Sequence, residues 1–510
     1  MQRIKSLREK AQRWLVSFWT EYKWCILSGM IVGLIAYMFT FTNKLPNHDD
    51  VLYMFGKGVT VTSGRWGLEL LRCILPDFSM PWIYGLITLM CISASAGLTA
   101  YAFRIRGKLP QVLLGGLFIV FPALIDTFTY MFTSSAYGVA FVLATLAFVL
   151  VSRDHNPVRN TVLGTLLMIL SLSIYQAYIS LTVPLLVIYL IQKLVKTDAS
   201  AKDIVLSGIR YICFALAALI LYFAITKLIL AILSTGFNSY AAGSFAGLND
   251  GILKRLRHVL IKPISILVKG TYGFIPNMFS RICHTLCLLL TFMLAARWFF
   301  KRETGGRRWL MPLLLLSLLF SLNMLFFILG SGSIHTLVLY GYVSIYVLFI
   351  VFIDADERIV NSQRLAKAIQ RIVCVLMIGI LIHNVYLANE ASLSEYINYQ
   401  NQFAEFSGLL TRIESMPEYQ PGTKIAIIGY GNPTAPAISD SFPNTRRIKG
   451  LSMLRYSYEE LMQIYLGYEG EFASAEEKAA LQETAEFAEM QTYPYYDSIR
   501  VIDGYIVVKF

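Results

Sequence analysis

Two adjacent carboxylates, Asp49 and Asp50, are the side chains of this sequence best suited to chemistry. A carboxylate near a membrane surface can act as the general base for a hydroxyl group. In an extended backbone the two side chains point to opposite sides, so that one can face a reacting group while the other structures the loop. The alternative is structural, because an acid that precedes VLYMF is a good helix N-cap. Both interpretations stay open, one for each residue.

Arg65 and Trp66 follow in the segment Ser63–Gly67, which reads SGRWG. Its first glycine permits an unusual backbone angle, and its second lets the chain pack closely. Arg binds phosphate through two parallel hydrogen bonds, and Trp prefers the level of the lipid headgroups. The pair therefore suits a lipid phosphate, with Trp66 and Glu69 as candidate contacts to a sugar or an acceptor. The alternative is an interfacial anchor helix from which Arg65 reaches toward water.

The segment Tyr175–Tyr178, YQAY, stands where two apolar segments meet with almost no loop between them. Aromatic faces and an amide suit the hydroxylated ring of a sugar, which makes Tyr175, Gln176 and Tyr178 candidate sugar or acceptor contacts. Tyrosines at such a position are equally typical of the aromatic belt at a membrane surface.

The segment 251–269 interleaves cations with Leu, Ile and Val in an amphipathic pattern. A helix of this kind lies on the membrane surface. The cations could bind the phosphate of a lipid-linked donor, or they could attract anionic lipid in general. The candidate phosphate ligands are Arg255, Arg257, His258 and Lys262, with Lys254 beside them.

The composition of the chain as a whole excludes a water-soluble protein. Hydrophobic residues make up 56% of the 510 residues and charged residues 15%, whereas soluble domains carry about 25% charged residues. So much apolar surface indicates a helical protein that crosses the membrane several times. The net charge of +12 then reflects the Lys and Arg of cytoplasmic loops, and no nucleic acid partner is expected.

The apolar segments predict an all-α polytopic membrane domain over residues 1–388, with about eleven spans, of which the ninth ends near Leu329. Lys and Arg gather in alternate loops, which places the N-terminus in the cytoplasm and residues 389–510 outside. The first outer loop, residues 43–80, then carries the acidic pair. A second long outer loop covers residues 234–272.

The tail, residues 389–510, has the mixed pattern of a small extracytoplasmic α/β domain. Lys424–Ile428 predicts a strand. Ser474 and Glu477 form a capping box that predicts a helix to about Met490. Two further strands, 499–502 and 505–510, flank Asp503-Gly504, which favours a hairpin on a type I′ turn.

The sequence offers no spacing typical of a metal site. Cys283, His284 and Cys287 come closest, but they lie in an apolar run and indicate packing. We therefore expect neither a divalent metal nor another cofactor.

Four features together resemble the phage-type serotype-converting glucosyltransferases, the O-antigen glucosyltransferase family of polytopic GT-C enzymes. They are the acidic pair after the first span, SGRWG, the YQAY hairpin and a tail that ends in DGYIVVKF. The resemblance implies undecaprenyl phosphate-glucose, or a similar lipid-phosphate sugar, as the donor and a surface glycan or its lipid-linked precursor as the acceptor. It also implies a reaction on the outer face of the bacterial inner membrane.

The resemblance further implies that Asp49 or Asp50 deprotonates an acceptor hydroxyl. That oxygen would attack the anomeric carbon with inversion while the lipid phosphate leaves. A flippase and a polyprenyl-phosphate glycosyl synthase would be the functional partners, because the donor must be made and then turned to the outer face.

Three other functions stay open. A transporter or flippase for a lipid-linked glycan would show ionisable residues within its spans, whereas the spans here are nearly without charge. A polysaccharide polymerase or ligase would use a lipid-diphosphate donor. A non-catalytic partner in envelope assembly would tolerate the loss of Asp49 and Asp50.

Overall fold

The computed structural model describes residues 2–56, 58–76, 78–239, 249–270, 277–329, 335–354, 359, 362–430, 441–445 and 456–510. Parts of the predicted outer loop 234–272, namely residues 240–248 and 271–272, lie outside the described residues. The chain forms two compact units. The first comprises Met1–Lys44, Phe55–Glu390 and Asn444–Gly450, and the second comprises Leu45–Met54, Ala391–Pro443 and Leu451–Phe510.

Helices dominate the described chain. In chain order they are α1 Gln2–Thr42, α2 His48–Leu52, α3 Gly67–Leu71, α4 Pro81–Phe103, α5 Lys108–Ile119, α6 Pro122–Thr129, α7 Met131–Val151, α8 Pro157–Ile174, α9 Ile179–Lys196, α10 Ala201–Ile232, α11 Ile252–Lys269, α12 Met278–Phe300, α13 Leu310–Leu322, α14 Phe326–Leu329, α15 Ser344–Asp354, α16 Gln363–Glu414, α17 Tyr458–Tyr465, α18 Ala475–Gln482 and α19 Ala485–Glu489. Short 3₁₀ helices cover Val61–Ser63, Gln176–Tyr178, Arg302–Trp309, Thr336–Val343 and Tyr496–Ser498.

The described residues contain ten helical segments that are long and apolar enough to cross a membrane. The chain is therefore a multi-pass membrane protein, and the prediction of an all-α polytopic fold is confirmed. The predicted ninth span, which ends near Leu329, is divided between α13 and α14, and neither helix alone has the roughly 20 residues that cross a bilayer. The side of the membrane on which each terminus lies stays a prediction.

Small residues let the first helices of the first unit pack closely. A Cβ atom on Gly29 of α1 would lie 2.6 Å from the hydroxyl of Ser93 in α4. A Cβ atom on Gly115 of α5 would lie 2.0 Å from the carbonyl oxygen of Cys25 in α1. Larger side chains would force these helices apart, so the glycines fix the spacing of the bundle.

The second unit contains a three-stranded sheet in the order β1-β3-β2, in which β1 is Ile425–Ile428, β2 is Ile499–Ile502 and β3 is Tyr505–Lys509. β1 pairs with β3 in parallel, and β2 pairs with β3 antiparallel. The hairpin turn is confirmed, since Asp503 and Gly504 both have positive φ, 49° and 80°, as a type I′ turn requires.

Helices cover both faces of this sheet, because alternate strand residues point in opposite directions. On one face Ile425 and Val508 pack with Phe406 and Leu409 of α16, and Val51 of α2 joins the same core. The other face packs against residues of α18 and α19, among them Leu481 and Phe487.

The capping box at Ser474 is confirmed, but the predicted single helix to about Met490 is wrong. The helix ends at Gln482 because Thr484 accepts a hydrogen bond from the Phe487 N–H and thereby starts a second helix, α19.

Candidate functional site

The acidic pair lies in the second unit, at the start of the five-residue helix α2. Asn47 is the N-cap, and its side-chain oxygen accepts a hydrogen bond from the Asp50 N–H at 2.9 Å. The expected extended backbone is therefore wrong, and so is the alternative in which Asp49 is the cap. The two carboxylates still diverge, because successive side chains of a helix are about 100° apart.

Burial distinguishes the two acids. Asp50 is completely buried, whereas the side chain of Asp49 is 27% exposed. Asp49 also accepts a hydrogen bond from the Tyr456 hydroxyl, and the ring of His48 packs edge-on against the Tyr456 ring at 5.3 Å. Asp49 is thus the carboxylate that an external hydroxyl group can reach, and Tyr456 fixes its orientation.

Acidic groups and phenols surround this pair. Burial raises the pKa of Tyr465, and the charge of Asp50 raises it further. Burial also raises the pKa of Tyr53, with smaller contributions from Asp49 and Glu460. The phenols therefore remain protonated at neutral pH and can serve as hydrogen-bond donors beside the carboxylates.

The described residues contain no candidate metal site. Nowhere among them do three or more His, Cys, Asp or Glu side chains lie together so that they could hold an ion. Metal independence stays a prediction.

Arg65 lies in the first unit and contacts two aromatic rings. Its Nη1 donates a hydrogen bond to the Tyr137 hydroxyl at 3.2 Å, and its guanidinium carbon lies 5.6 Å from the centre of the Tyr175 ring. The two tyrosine rings stack at 4.3 Å. A cation over an aromatic face is held by the ring quadrupole, so the guanidinium has a defined orientation.

Gln176 joins the YQAY hairpin to SGRWG. Its amide donates to the Ser63 carbonyl at 3.0 Å and to the Tyr222 hydroxyl at 2.9 Å, and that hydroxyl donates to the Gly64 carbonyl at 2.9 Å. Trp66 is held separately, through a 3.1 Å hydrogen bond from its ring nitrogen to Thr226. The two motifs thus form one assembly, here called the Arg65 cluster. Its members are Arg65, Trp66, Tyr137, Tyr175, Gln176 and Tyr222.

The two glycines of SGRWG have the roles that the sequence predicts. Gly64 has φ +78°, and a Cβ atom there would lie 2.6 Å from the Tyr222 hydroxyl. A Cβ atom on Gly67 would lie 2.2 Å from the Ser173 hydroxyl, so this segment packs directly on α8.

Two residues that were predicted to contact a sugar, Tyr178 and Glu69, contact other protein side chains in the structure. Tyr178 is only 2% exposed and packs edge-on against Phe141, so the structure does not support a sugar contact there. Glu69 binds local partners, since its carboxylate accepts from Thr60 at 2.5 Å and pairs with Arg72 at 3.3 Å. Tyr178 therefore belongs to the core, and Glu69 stabilises the loop that carries Arg65.

The amphipathic segment forms the predicted helix, α11, in the first unit. The guanidinium carbon of Arg255 lies 4.4 Å from the centre of the Phe327 ring, and Lys254 pairs with Asp250 at 2.6 Å. Arg257 is exposed, while His258 and Lys262 are half-buried. Phosphate binding by these cations stays a prediction.

Three contact residues escaped the sequence-based prediction. Tyr137 and Tyr222 lie within apolar spans, where a tyrosine is normally a packing residue, and Tyr456 is far from Asp49 along the chain. None of the three belongs to a recognisable motif. The helix cap could have been found, because Asn47 with an acid three residues later is a typical N-terminal pattern.

Residues 38–348 match the model of a protein family described as glucosyl transferase GtrII. The match covers more than half of the chain and includes every candidate from Asp49 to Lys262, whereas Tyr456 lies beyond it. No curated protein and no solved structure matches the chain.

Proposed function

Because the chain belongs to the glucosyl transferase GtrII family, we propose that it transfers glucose from undecaprenyl phosphate-glucose to a cell-surface glycan. The acceptor is an O-antigen or a wall polysaccharide, and the reaction takes place on the outer face of the bacterial inner membrane. Family membership, together with the ten helices of the described residues that are long and apolar enough to cross a membrane, supports a membrane glycosyltransferase. The donor, the acceptor and the side of the membrane are parts of the proposal.

The observation that carries the mechanism is the contrast between the two acids. Asp49 is partly exposed and oriented by Tyr456, while Asp50 is fully buried. We assign Asp49 as the general base. Its carboxylate accepts the proton of an acceptor hydroxyl, and the oxygen forms a bond to the anomeric carbon as the bond from that carbon to the phosphate oxygen breaks. The lipid phosphate leaves, and the configuration inverts.

Arg65 is assigned to the donor phosphate. Its contacts with Tyr137 and Tyr175 fix the plane of the guanidinium, which suits two parallel hydrogen bonds to phosphate oxygens. Negative charge grows on the phosphate as the sugar leaves, and a pre-oriented cation stabilises that charge. Trp66 and Gln176 remain the candidate sugar contacts of the same cluster, whereas Tyr175, predicted as a third, is only 4% exposed and holds Arg65 instead.

We assign to the cations of α11 the role of attracting the lipid-phosphate donor to the protein. Exposed apolar residues, including Leu253 and Ile261, share this helix with Arg257 and with the half-buried Arg255, His258 and Lys262. A helix of this composition lies at a membrane surface and attracts phosphate-bearing lipids.

The experiment follows labelled glucose from synthetic polyprenyl phosphate-glucose to the surface glycan in membranes that carry each variant. Wild type transfers the label, and Asp49→Asn lowers the rate by about 10²–10⁴, the usual contribution of a general base. Asp198→Asn, an exposed acid in the loop before α10, is the matched control and keeps the wild-type rate.

Two results would contradict the proposal. Wild-type transfer by membrane-inserted Asp49→Asn would exclude Asp49 as the base. Absence of transfer from any polyprenyl-phosphate sugar by wild type would exclude the donor class, and a lipid-diphosphate donor, as used by a polymerase or ligase, would then be tested.

A further inference from the structure

A cavity of about 670 Å³ lies between α8, α9 and α10 of the first unit. Its volume is within the range of small-molecule sites. Four charged residues line it, namely Asp154, Lys193, Asp203 and Arg210. The distribution of Lys and Arg along the chain predicts that this end of the bundle faces the cytoplasm.

In this cavity one carboxylate pairs with two cationic side chains. Asp154 accepts from Lys193 at 2.9 Å on one oxygen and pairs with Arg210 at 3.4 Å on the other. Both cationic side chains are mostly buried, with 17% and 19% exposure. The three groups together carry one excess positive charge, which favours an anionic ligand. The buried Nε of Arg210 also has no hydrogen-bond partner among the described residues.

Asp203 of α10 brings a negative charge to the same cavity as Lys193 and Arg210. Asp203, Ser207 and Arg210 are spaced so that they share one face of the helix, and all three line the cavity. The Ser200 N–H and hydroxyl both donate to a single oxygen of Asp203. Within the described part of the chain, the other oxygen of this carboxylate has no hydrogen-bond donor. The cavity therefore has an anion-binding side and a cation-binding side.

Apolar side chains complete the lining. Val158, Val162 and Leu206 line the same cavity and are 77%, 55% and 53% exposed. They belong to helices that are long and apolar enough to cross the membrane, so their exposed surface suits hydrocarbon. A ligand that fits all three parts carries an anion, a cation and an apolar chain.

We propose that this cavity binds a phospholipid whose headgroup carries both a phosphate and a primary ammonium. The phosphate lies against Lys193 and Arg210, the ammonium donates to Asp203, and an acyl chain follows Val158 and Val162. The four charged lining residues sum to zero net charge, which matches a zwitterionic headgroup. This site is separate from the residues assigned to glucosyl transfer.

The test titrates the purified, delipidated full chain with three lipids and counts bound lipid by native mass spectrometry. Phosphatidylethanolamine has both groups, phosphatidylglycerol lacks the ammonium, and phosphatidylcholine has a cation without N–H donors. Wild type binds phosphatidylethanolamine at least fivefold more tightly than either of the others. Arg210→Gln lowers that affinity at least tenfold, and Asp203→Asn abolishes the preference among the three lipids.

Matched controls separate recognition from helix stability. Ser200→Ala breaks the capping box of Asp203 but keeps its carboxylate, and it retains the preference for phosphatidylethanolamine. Arg364→Gln removes an exposed Arg outside the cavity and leaves binding unchanged.

Two outcomes would overturn the proposal. Equal binding of the three lipids by wild type would exclude recognition of the headgroup, and this comparison needs no variant. Wild-type affinity in folded Arg210→Gln and Asp203→Asn would place the bound lipid elsewhere.

Discussion

The guanidinium of Arg65 lies over the ring of Tyr175, 5.6 Å from its centre, although the two residues are far apart in the sequence. The contact joins the segment SGRWG to the hairpin YQAY, and Tyr137 completes it from α7 by stacking on Tyr175 at 4.3 Å. A long, flexible side chain thus has one preferred orientation before any ligand arrives. Such pre-orientation reduces the entropy cost of binding a phosphate.

Replacing Arg65 should weaken donor binding. Hydrogen bonds to charged groups contribute about 1.5–3 kcal/mol, so Arg65→Gln should raise the KM for polyprenyl phosphate-glucose by about 10- to 150-fold. Arg65→Lys should give a smaller increase, because Lys keeps the charge but loses the planar pair of donors. Steady-state transfer assays at varied donor concentration measure both. Arg364→Gln, at an exposed Arg outside the Arg65 cluster, is the control. An unchanged kcat/KM in Arg65→Gln would exclude the phosphate contact.

The hydrogen bonds of Gln176 should contribute measurably to folding. Gln176→Leu leaves the Ser63 carbonyl without its donor, and Tyr222→Phe does the same to Gly64. Each unsatisfied buried group costs about 1–3 kcal/mol. Because the two side chains also bond to each other, the double variant should lose less than the sum of the single losses. Thermal unfolding in one detergent measures this coupling, and strictly additive losses would contradict it.

The sequence predicts much of this cluster because its residues have distinctive types. SGRWG and YQAY stand out between apolar spans, and the two glycines indicate a tight backbone before any coordinates are known. The sequence could not place Arg65 against Tyr175, because that contact depends on how α3, α7 and α8 pack. For the same reason, the sequence could not identify Tyr137 and Tyr222 as members of the cluster.

For the acidic pair, the sequence alone could not decide between two backbone conformations. An extended loop and a short helix were both compatible with NHDD, and the side chain of Asn47 favours the helix by capping it. The roles of the two acids then follow from burial, which depends on distant segments such as the one that carries Tyr456.

Replacing Tyr456 should lower the rate of glucose transfer and leave donor binding unchanged. Its hydroxyl orients Asp49, so Tyr456→Phe should lower kcat for glucose transfer by about tenfold, which corresponds to one hydrogen bond of about 1.4 kcal/mol, with the donor KM unchanged. Tyr496→Phe, at a side chain that is 95% exposed, is the matched control. If the two variants had the same kcat, Tyr456 would have no positioning role.

The second unit should lose stability in acid through Glu477. Hydrogen bonds from the backbone N–H of Ser474, from the Tyr505 hydroxyl and from Lys424 lower the pKa of this carboxyl from about 4.5 to about 2. A carboxyl whose pKa is lower in the folded state stabilises that state fully above the unfolded pKa. This contribution should be present above about pH 4.5 and should be lost as the pH falls from there toward 2.

Hydrogen exchange of the amides in α18 measures this loss directly, because Ser474 and Glu477 cap that helix. Protection, corrected for the intrinsic exchange rate, should fall between pH 5 and pH 3 in wild type. Glu477→Gln cannot ionise, so its protection should be lower at pH 5 and nearly constant over the same interval. Glu486→Gln, an exposed acid in α19, should behave as wild type. An equal fall in Glu477→Gln and wild type would show that other carboxyls govern the acid sensitivity of this helix.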